Sequence, residues 1–466
     1  MPKDKEDTIC AIATAAGQGA IALIRVNGPE AISLTDSFFV PSAAGKKLIQ
    51  QPGYTLHHGH IVDRGKLVDE ALVSVFREPL SYTGEDMVEI SCHGSVFIQQ
   101  AILQLIILNG ARMARPGEFT MRAFLNGKMD LSQAEAVADL VASSSEAAHQ
   151  VALHQIRGGF SEEIKKLRGR LLEFISLIEL ELDFSEEEVE FADRSKLRLL
   201  ISSIRTEIGT LVHSFGAGNV LKDGIPVVIA GLPNAGKSTL LNRFLNEERA
   251  IVSEIPGTTR DTVEDRIHID GYLFRFIDTA GLRHTEDSIE MIGIRKTHEK
   301  LKQASIILLI TDVAEPVGEI VKQVEALKPD NRQKIILLLN KADQFGEERA
   351  DASLRALKEK LSIEILCISA KNGMHIDQVK KILVEMVQQE TNSESGVVVT
   401  NARHFDALGR AQAAADRVLE GLDNKIPGDL LAQDIREIMH YLGEITGEIT
   451  TDEILGNIFA NFCIGK

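Results

Sequence analysis

Short apolar runs that suit strands alternate with amphipathic runs that suit helices over the first 120 residues. These segments lie at residues 21–26, 71–76, 87–91 and 96–108. Alternating apolar positions are typical of half-buried strands, whereas apolar intervals of three and four are typical of helices. A turn-forming segment at residues 115–120 precedes a change of pattern. Residues 1–120 are therefore predicted to form an N-terminal α+β domain.

From residue 131 to about residue 215 the pattern is helical. Apolar residues recur at intervals of three and four, as between Ala134 and Val141. Ser185 and Glu188 have the spacing of a capping box, which indicates the start of another helix. A second helical stretch follows residue 401, with one apolar face formed by Leu408, Ala411, Ala415, Val418 and Leu422.

Apolar strands are predicted between these helical stretches, at residues 226–230, 272–277, 335–339 and 363–368. The first strand leads into Gly231-Leu-Pro-Asn-Ala-Gly-Lys-Ser238 and then into a helical run. This is the pattern of a P-loop, in which backbone N–H groups and a helix N-terminus bind phosphates. Lys237 would reach the β- and γ-phosphates, and Ser238 would hold Mg²⁺.

Four further motifs follow in the order of a GTP-binding domain, at residues 258–261, 278–281, 340–343 and 369–371. Asp343 can accept two N–H groups of guanine, but would meet only a repelling acceptor on adenine. Each motif is weak evidence alone, yet together they lie where open α/β sheets bind ligands. The predicted nucleotide-binding residues are Asn234, Ala235, Gly236, Lys237, Ser238, Thr239, Thr258, Thr259, Asp278, Thr279, Ala280, Gly281, Asn340, Lys341, Asp343, Ser369 and Ala370.

The chain is therefore expected to be a multi-domain α/β protein. A P-loop G domain at residues 218–385 is inserted into a discontinuous helical domain, formed by residues 121–217 and 386–466. Glycine-rich or polar segments at residues 216–224 and 392–400 are predicted to be the linkers.

The residues for hydrolysis are less clear from the sequence. Leu282 stands where many small GTPases carry a glutamine that orients water. Glu286, Asp287 and Glu290 follow, although a solvated acidic loop accounts well for the first two. A bound monovalent cation could supply positive charge through Asn234 and nearby loop carbonyls, but Asn234 could equally stabilise its loop.

The length of the chain and its net charge limit the number of domains and the kinds of partner that the protein can bind. A chain of 466 residues suggests about three domains. The net charge of −17 argues against a surface covered with phosphate-binding groups, so nucleic-acid contact would need a local patch or a partner. Four scattered cysteines suit a reducing compartment. With no spanning apolar run and no signal-peptide pattern, we expect a cytoplasmic protein without membrane contact.

The whole chain resembles the tRNA modification GTPases of the MnmE family, also called TrmE. The residues that carry the resemblance are Asp7-Thr-Ile, Thr83-Gly-Glu-Asp with Glu89, Arg115-Pro-Gly-Glu-Phe, Ala123-Phe-Leu-Asn-Gly-Lys128, the P-loop, Gly257-Thr-Thr-Arg-Asp, Asp278-Thr-Ala-Gly-Leu-Arg283 and the terminal Cys463-Ile-Gly-Lys466. One departure is the turn at residues 15–18, where the family commonly has prolines and an arginine.

The resemblance implies a homodimer that associates through an N-terminal domain similar to tetrahydrofolate-binding domains. With an FAD-dependent MnmG-like partner, such proteins add an aminomethyl or carboxymethylaminomethyl group to C5 of the wobble uridine of certain tRNAs. A folate, 5-formyl- or methylene-tetrahydrofolate, would supply the one-carbon unit. The alternative is a regulatory GTPase switch for ribosome assembly, which would have no folate affinity.

The resemblance also assigns residue roles, which stay expectations at this point. Folate would contact Arg25, Glu89, Lys128 and Lys466. Potassium would contact Asn234, Ser253, Ile255 and Thr258, and Ser253 also belongs to the nucleotide site. Mg²⁺ would contact Ser238 and Thr259. Glu290 would organise the attacking water, and Cys463 would be required for modification.

Overall fold

The computed structural model describes residues 7–183, 193–249, 264–277, 301–330, 333–345, 347–391, 398–460 and 462–465. The chain divides into two units. Unit 1 comprises Met1–Val141, Gln155–Ile201 and Ala413–Lys466, and unit 2 comprises Ala142–His154 and Ser202–Gln412.

The first part of unit 1 is a seven-stranded sheet with helices against one face. Its strands are β1 (Ile9–Ile12), β2 (Ile21–Asn27), β3 (Phe39–Pro41), β4 (Thr55–Asp63), β5 (Lys66–Phe76), β6 (Met87–His93) and β7 (Arg112–Met113). The order is β3-β4-β5-β6-β2-β1-β7, and every pair is antiparallel except β1 and β7. The α+β character predicted for this region is confirmed.

Side chains alternate across this sheet, as the strand pleat requires. Ile24 and Val26 of β2 are buried in a core with helices α1 (Ala31–Phe38) and α2 (Val96–Leu108), whereas Ile21 is 68% exposed. The strands predicted at 21–26, 71–76 and 87–91 and the helix at 96–108 are all present.

Helices follow the sheet, as the periodicity predicts. They are α3 (Glu118–Leu125), α4 (Leu131–Ala142), α5 (Glu146–Ile156), α6 (Gly159–Asp183) and α7 (Arg194–Asp223). The turn predicted at 115–120 is shorter than expected. Gly117 has a left-handed backbone (φ +65°), and helix α3 begins at the next residue, Glu118. The proposed capping box at Ser185 lies outside the described residues.

The linker predicted at residues 216–224 is wrong. Helix α7 continues through this segment to Asp223. Gly218 serves close packing rather than a chain break, because a Cβ there would lie 2.2 Å from the carbonyl oxygen of Val399. Gly224, with φ +94°, is the residue that ends the helix.

Unit 2 contains a six-stranded sheet of the order β13-β12-β11-β8-β10-β9. Its strands are β8 (Ile225–Ala230), β9 (Glu264–Ile269), β10 (Tyr272–Ile277), β11 (Ile306–Asp312), β12 (Lys334–Asn340) and β13 (Glu364–Cys367). All pairs are parallel except β9 with β10. The four strands predicted in this region are confirmed.

Helices connect these strands and fill the outer layers: α8 (Lys237–Arg249), α9 (Val317–Leu327), α10 (Glu347–Lys358) and α11 (Ile376–Thr391). The sheet separates two apolar cores, one containing Phe244 and Phe276 and the other containing Leu337 and Leu357. Because β8, β11, β12 and β13 run parallel, their carboxyl ends meet at one edge.

The last helices are α12 (Ala402–Asp423), α13 (Gly428–Thr446) and α14 (Asp452–Phe459). The apolar face predicted on α12 is confirmed, since Leu408, Ala411, Ala415 and Val418 are fully buried. None of the helices in the described part of the chain combines the length and apolar character that crossing a bilayer requires.

Candidate nucleotide and pocket sites

The P-loop connects buried strand β8 to helix α8 at the carboxyl edge of the unit 2 sheet. Its chain direction depends on two glycines with positive φ, Gly231 (+147°) and Gly236 (+109°). A Cβ on Gly231 would lie 2.1 Å from the carbonyl oxygen of Ile310. Asn234 is exposed and has φ +62°, a conformation that asparagine tolerates better than most residues.

Lys237 begins helix α8 and points back over the loop. Its Nζ donates to the carbonyl oxygens of Gly231 and Leu232, each at 2.8 Å. Burial lowers the pKa of its ammonium group from the ordinary value. Ser238 is half-buried and Thr239 is exposed in the same first turn. The structure therefore places residues 234–239 as the P-loop pattern predicts.

Asn340, at the end of β12, joins two loops of this edge. Its Nδ2 donates to the carbonyl oxygen of Ala235 at 2.7 Å, and its Oδ1 accepts from the Ala370 N–H at 2.9 Å. A Cβ on Gly236 would lie 2.1 Å from this Nδ2. One buried amide thus fixes the P-loop and the segment at 369–371 against β12.

Lys341 and Asp343 follow Asn340 at the same edge. Lys341 has a left-handed backbone (φ +65°), and its Nζ lies 2.9 Å from a carboxylate oxygen of Asp312. Asp343 is exposed, and Ser369 is buried with its Oγ accepting from the Asn372 N–H at 3.2 Å. The described residues of the predicted nucleotide site therefore lie on adjacent loops.

Several predicted residues lie outside the described part of the chain. They are Ser253, Ile255, Thr258, Thr259, Asp278, Thr279, Ala280, Gly281, Glu290 and Lys466.

A second site lies on the sheet of unit 1. Arg25 of β2 and Glu89 of β6 are direct neighbours across the two strands. Nε and Nη2 of Arg25 lie 2.9 and 2.8 Å from Oε1 of Glu89. The guanidinium carbon is also 5.5 Å from the ring centre of Tyr82 and 5.8 Å from that of Phe119. The two charges therefore sit among aromatic rings.

The C-terminal segment reaches this arginine. Nη1 of Arg25 donates to the carbonyl oxygen of Gly465 at 3.2 Å, and the Gly117 N–H donates to that of Cys463 at 3.3 Å. Gly465 is buried with φ +97°, and a Cβ on it would lie 2.5 Å from the carbonyl oxygen of Ile12. Cys463 itself is exposed. The structure thus brings Arg25, Glu89 and Cys463 to one region.

Lys128 contacts the loop that carries Tyr82. Its Nζ donates to the carbonyl oxygen of Pro79 at 3.0 Å, while the side chain is otherwise exposed. Tyr82 in turn is within 2.9 Å of the Thr120 hydroxyl. Loop 79–86 therefore lies between Lys128 and Arg25.

Comparison with known proteins agrees with these motifs. A family described as "MnmE helical domain" matches residues 131–463, and one described as "GTP-binding protein TrmE N-terminus" matches residues 8–128. Proteins called tRNA modification GTPase MnmE are similar over nearly the whole chain. Those of Bacteroides fragilis and Bacteroides thetaiotaomicron are 54% identical over 99% of this chain and 100% of theirs. The protein of Cytophaga hutchinsonii is 53% identical over 99% of this chain and 98% of its own length.

The chain belongs to the MnmE family of tRNA modification GTPases. It is therefore a GTPase that acts in tRNA modification, as the motifs and the resemblance predicted.

Several residues through which the chain resembles the MnmE family form one partly buried ion network around helix α3. Arg122 contacts Asp7, Glu85 and Glu118, and Arg112 contacts Asp7 and Glu118. Glu118 is 1% exposed and Arg122 is 3% exposed. Burial alone would raise the pKa of Glu118, but hydrogen bonds from Arg112 and the Arg115 N–H, with the charges of both arginines, lower it below its ordinary value.

A neighbouring polar group extends this network to the loop. The Asn126 amide donates to the Thr83 carbonyl at 2.8 Å and to Glu85 at 3.2 Å, and Thr83 and Glu85 both contact Asn27. The motifs at Asp7, Thr83–Asp86 and Asn126 are thus parts of one structural support.

Sequence reasoning missed three side chains at these sites. Tyr82 and Asp312 belong to none of the motifs described above, and Phe119 belongs to one only as part of Arg115-Pro-Gly-Glu-Phe119. Their positions depend on strand pairing and loop geometry, so apolar periodicity carried no signal for them. The aromatic residue in the segment Ser81-Tyr-Thr83, next to a recognised motif, was the only available hint.

Proposed function

We propose that this protein is a potassium-activated GTPase that modifies C5 of the wobble uridine of certain tRNAs. It would act with an FAD-dependent, MnmG-like protein and use a one-carbon unit from 5-formyl- or methylene-tetrahydrofolate. The added group would be aminomethyl or carboxymethylaminomethyl. The contact between the Gly465 carbonyl and Arg25 is the main support, because it brings the segment containing Cys463 to a charged aromatic pocket.

The pocket suits a pterin chemically. A pterin is flat and carries an amino-pyrimidinone edge with both N–H donors and a carbonyl acceptor. Glu89 would accept from the donors, Arg25 would face the carbonyl, and Tyr82 would contact a ring face. Lys128 and Lys466 would serve the more distant carboxylates. Cys463 is exposed nearby and would take part in modification.

The nucleotide loops suit GTP in the same way. Lys237 would exchange its two carbonyl partners for β- and γ-phosphate oxygens. Asp343, which is exposed, would accept from guanine, and Ser369 and Ala370 would support the base. Ser238 with Thr259 would hold Mg²⁺, and the half-buried hydroxyl at the start of α8 fits that ligand.

A potassium ion would be held by Asn234 together with Ser253, Ile255 and Thr258. The exposed amide of Asn234, on a left-handed loop residue, offers the neutral oxygen that a monovalent cation needs. The ion would supply positive charge for hydrolysis, and Glu290 would orient water in place of the glutamine that Leu282 replaces.

Self-association is also part of the proposal. The sheet face that carries Arg25 exposes large apolar side chains on neighbouring strands, namely Ile21, Leu56 and Leu72, at 68, 62 and 40%. Burying such a face in a homodimer is favourable. The protein would work in the cytoplasm, and the basic surface for tRNA would come partly from the partner, since this chain carries a charge of −17.

The first test is GTP hydrolysis by the pure protein in potassium and in sodium buffer of equal ionic strength. Strong stimulation by potassium is expected. Equal, slow rates would contradict the cation site and favour activation by a partner.

Equilibrium dialysis with a reduced folate is the second test. Saturable binding that Glu89→Gln weakens supports the pocket. No binding, together with association with ribosomal particles, would instead favour a regulatory switch for ribosome assembly.

A further inference from the structure

Asp312 ends strand β11, beside the strand that carries the guanine motif. The register of the parallel pair places Asp312 opposite Asn340, the last residue of β12, and Lys341 directly follows that strand. The carboxylate of Asp312 lies 2.9 Å from the ammonium nitrogen of Lys341. The acidic side chain thus contacts the residue between Asn340, which fixes the loops, and Asp343, which would recognise the base.

The carboxylate is itself held in place. Its Oδ1 accepts from the Ala314 N–H at 2.9 Å. The following loop is braced by Glu315, which accepts from the Thr311 hydroxyl at 2.9 Å and from the Gln323 amide at 2.6 Å. Asp312 therefore presents a fixed charge to Lys341.

The electrostatics favour a charged pair at neutral pH. The side chain of Asp312 is 25% exposed and that of Lys341 is 31% exposed. Burial alone would raise the pKa of Asp312, but the Ala314 N–H and Lys341 together lower it below its ordinary value. The carboxylate is thus ionised at neutral pH, where it pairs with the Lys341 ammonium group.

We propose that Asp312 is a positioning residue for guanine-nucleotide binding, which holds the side chain of Lys341 in the orientation that the bound nucleoside requires. The inference rests on the GTP site proposed above. A free lysine loses rotamer entropy when it becomes ordered. Fixing it before the ligand arrives strengthens binding by preorganisation.

The test is the dissociation rate of a fluorescent GDP from Asp312→Asn in the full chain. Asparagine keeps an oxygen for the Ala314 N–H but removes the charge that holds Lys341. We expect dissociation about five- to twentyfold faster, a higher KM for GTP and an unchanged kcat. Affinity for inorganic tripolyphosphate, which has no nucleoside, should not change.

Asp377→Asn is a matched control. Asp377 lies in the same unit with Lys380 at 3.9 Å, but its side chain is 97% exposed. Its loss should not alter GDP dissociation. In a Lys341→Gln background, Asp312→Asn should add little, because the partner of the carboxylate is already gone.

The outcomes separate the two proposals. Normal GDP dissociation from Asp312→Asn, with wild-type GDP binding intact, would refute the positioning role and leave the GTP site standing. An equal loss of tripolyphosphate and GDP affinity would show a general structural defect and also refute it. Failure of the wild-type protein to bind GDP would instead overturn the site itself.

Discussion

Gly236 is a residue at which the described part of the nucleotide site has no room for a side chain. Its φ of +109° is unfavourable for any other residue, and a Cβ would overlap the Asn340 amide. The substitution Gly236→Ala should force apart the P-loop and the end of β12. We expect GTP affinity to fall at least tenfold, which corresponds to about 1.4 kcal/mol, as measured by titration calorimetry.

Gly318→Ala is the control for this prediction. Gly318 lies in α9 of the same unit, and a Cβ there has no neighbour within 4 Å. This variant should bind GTP as the wild type does. If Gly236→Ala also binds normally, the close packing against Asn340 does not limit the site.

At the scale of elements, the C-terminal segment after α14 is held by backbone contacts. Gly465→Ala would place a methyl group against the Ile12 carbonyl and strain the backbone at φ +97°. We expect the segment to leave Arg25, and tRNA modification to fall about tenfold or more, while the GTPase rate stays within about twofold. The measurement is nucleoside analysis of tRNA from cells that carry only this variant, with GTPase assays in parallel.

Gly456→Ala, within α14 itself, provides the comparison. A Cβ at Gly456 has no neighbour within 4 Å, so modification should be normal. Normal modification by Gly465→Ala as well would contradict a role for the docked segment.

The ion network around α3 makes the stability of the surrounding fold depend on pH. Since the pKa of Glu118 is lowered in the folded state, its contribution is present above the ordinary carboxyl pKa and is lost as the pH falls through the lower, folded value. Glu118→Gln should destabilise this region by about 3 kcal/mol at pH 7. The difference from wild type should shrink below about pH 4. Hydrogen exchange of the β1 and β2 amides measures it.

Glu70→Gln controls for loss of a carboxylate at an exposed position, since the Glu70 side chain is 55% exposed and contacts the exposed His58. It should change amide exchange little. A pH-independent effect of Glu118→Gln would indicate lost packing rather than lost charge.

Local patterns predicted the P-loop, three of the seven strands of the first sheet and four of the six strands of the second, because alternation, apolar runs and glycine spacing depend on neighbouring residues. The pattern failed at residues 216–224, where Gly218 accommodates the Val399 backbone and no linker exists. The contact of Arg25 with Gly465 spans 440 positions and has no local signal. The pairing of Lys341 with Asp312 likewise depends on which strands are neighbours.

At the scale of the whole molecule, the net charge of −17 bears on how tRNA is bound. Each phosphate contact contributes about −0.9 to the slope of log affinity against log salt for a duplex. We expect the isolated protein to show a shallow slope, equivalent to about two or three contacts, and a steeper slope when the partner is present. Filter binding over a range of salt concentrations measures both. A steep slope for the protein alone would show a basic surface sufficient for tRNA.

Unit 1 is built from segments at both ends of the chain, and this affects the order in which its parts can fold during synthesis. Unit 1 contains both the strand with Arg25 and the segment with Gly465, whereas the described nucleotide loops end by residue 371. Domains generally fold as they leave the ribosome, in the order of synthesis. The nucleotide loops can therefore assemble on a growing chain before the pocket around Arg25 receives its last contact. A ribosome that stops early would release a product with a complete P-loop but an unfinished pocket.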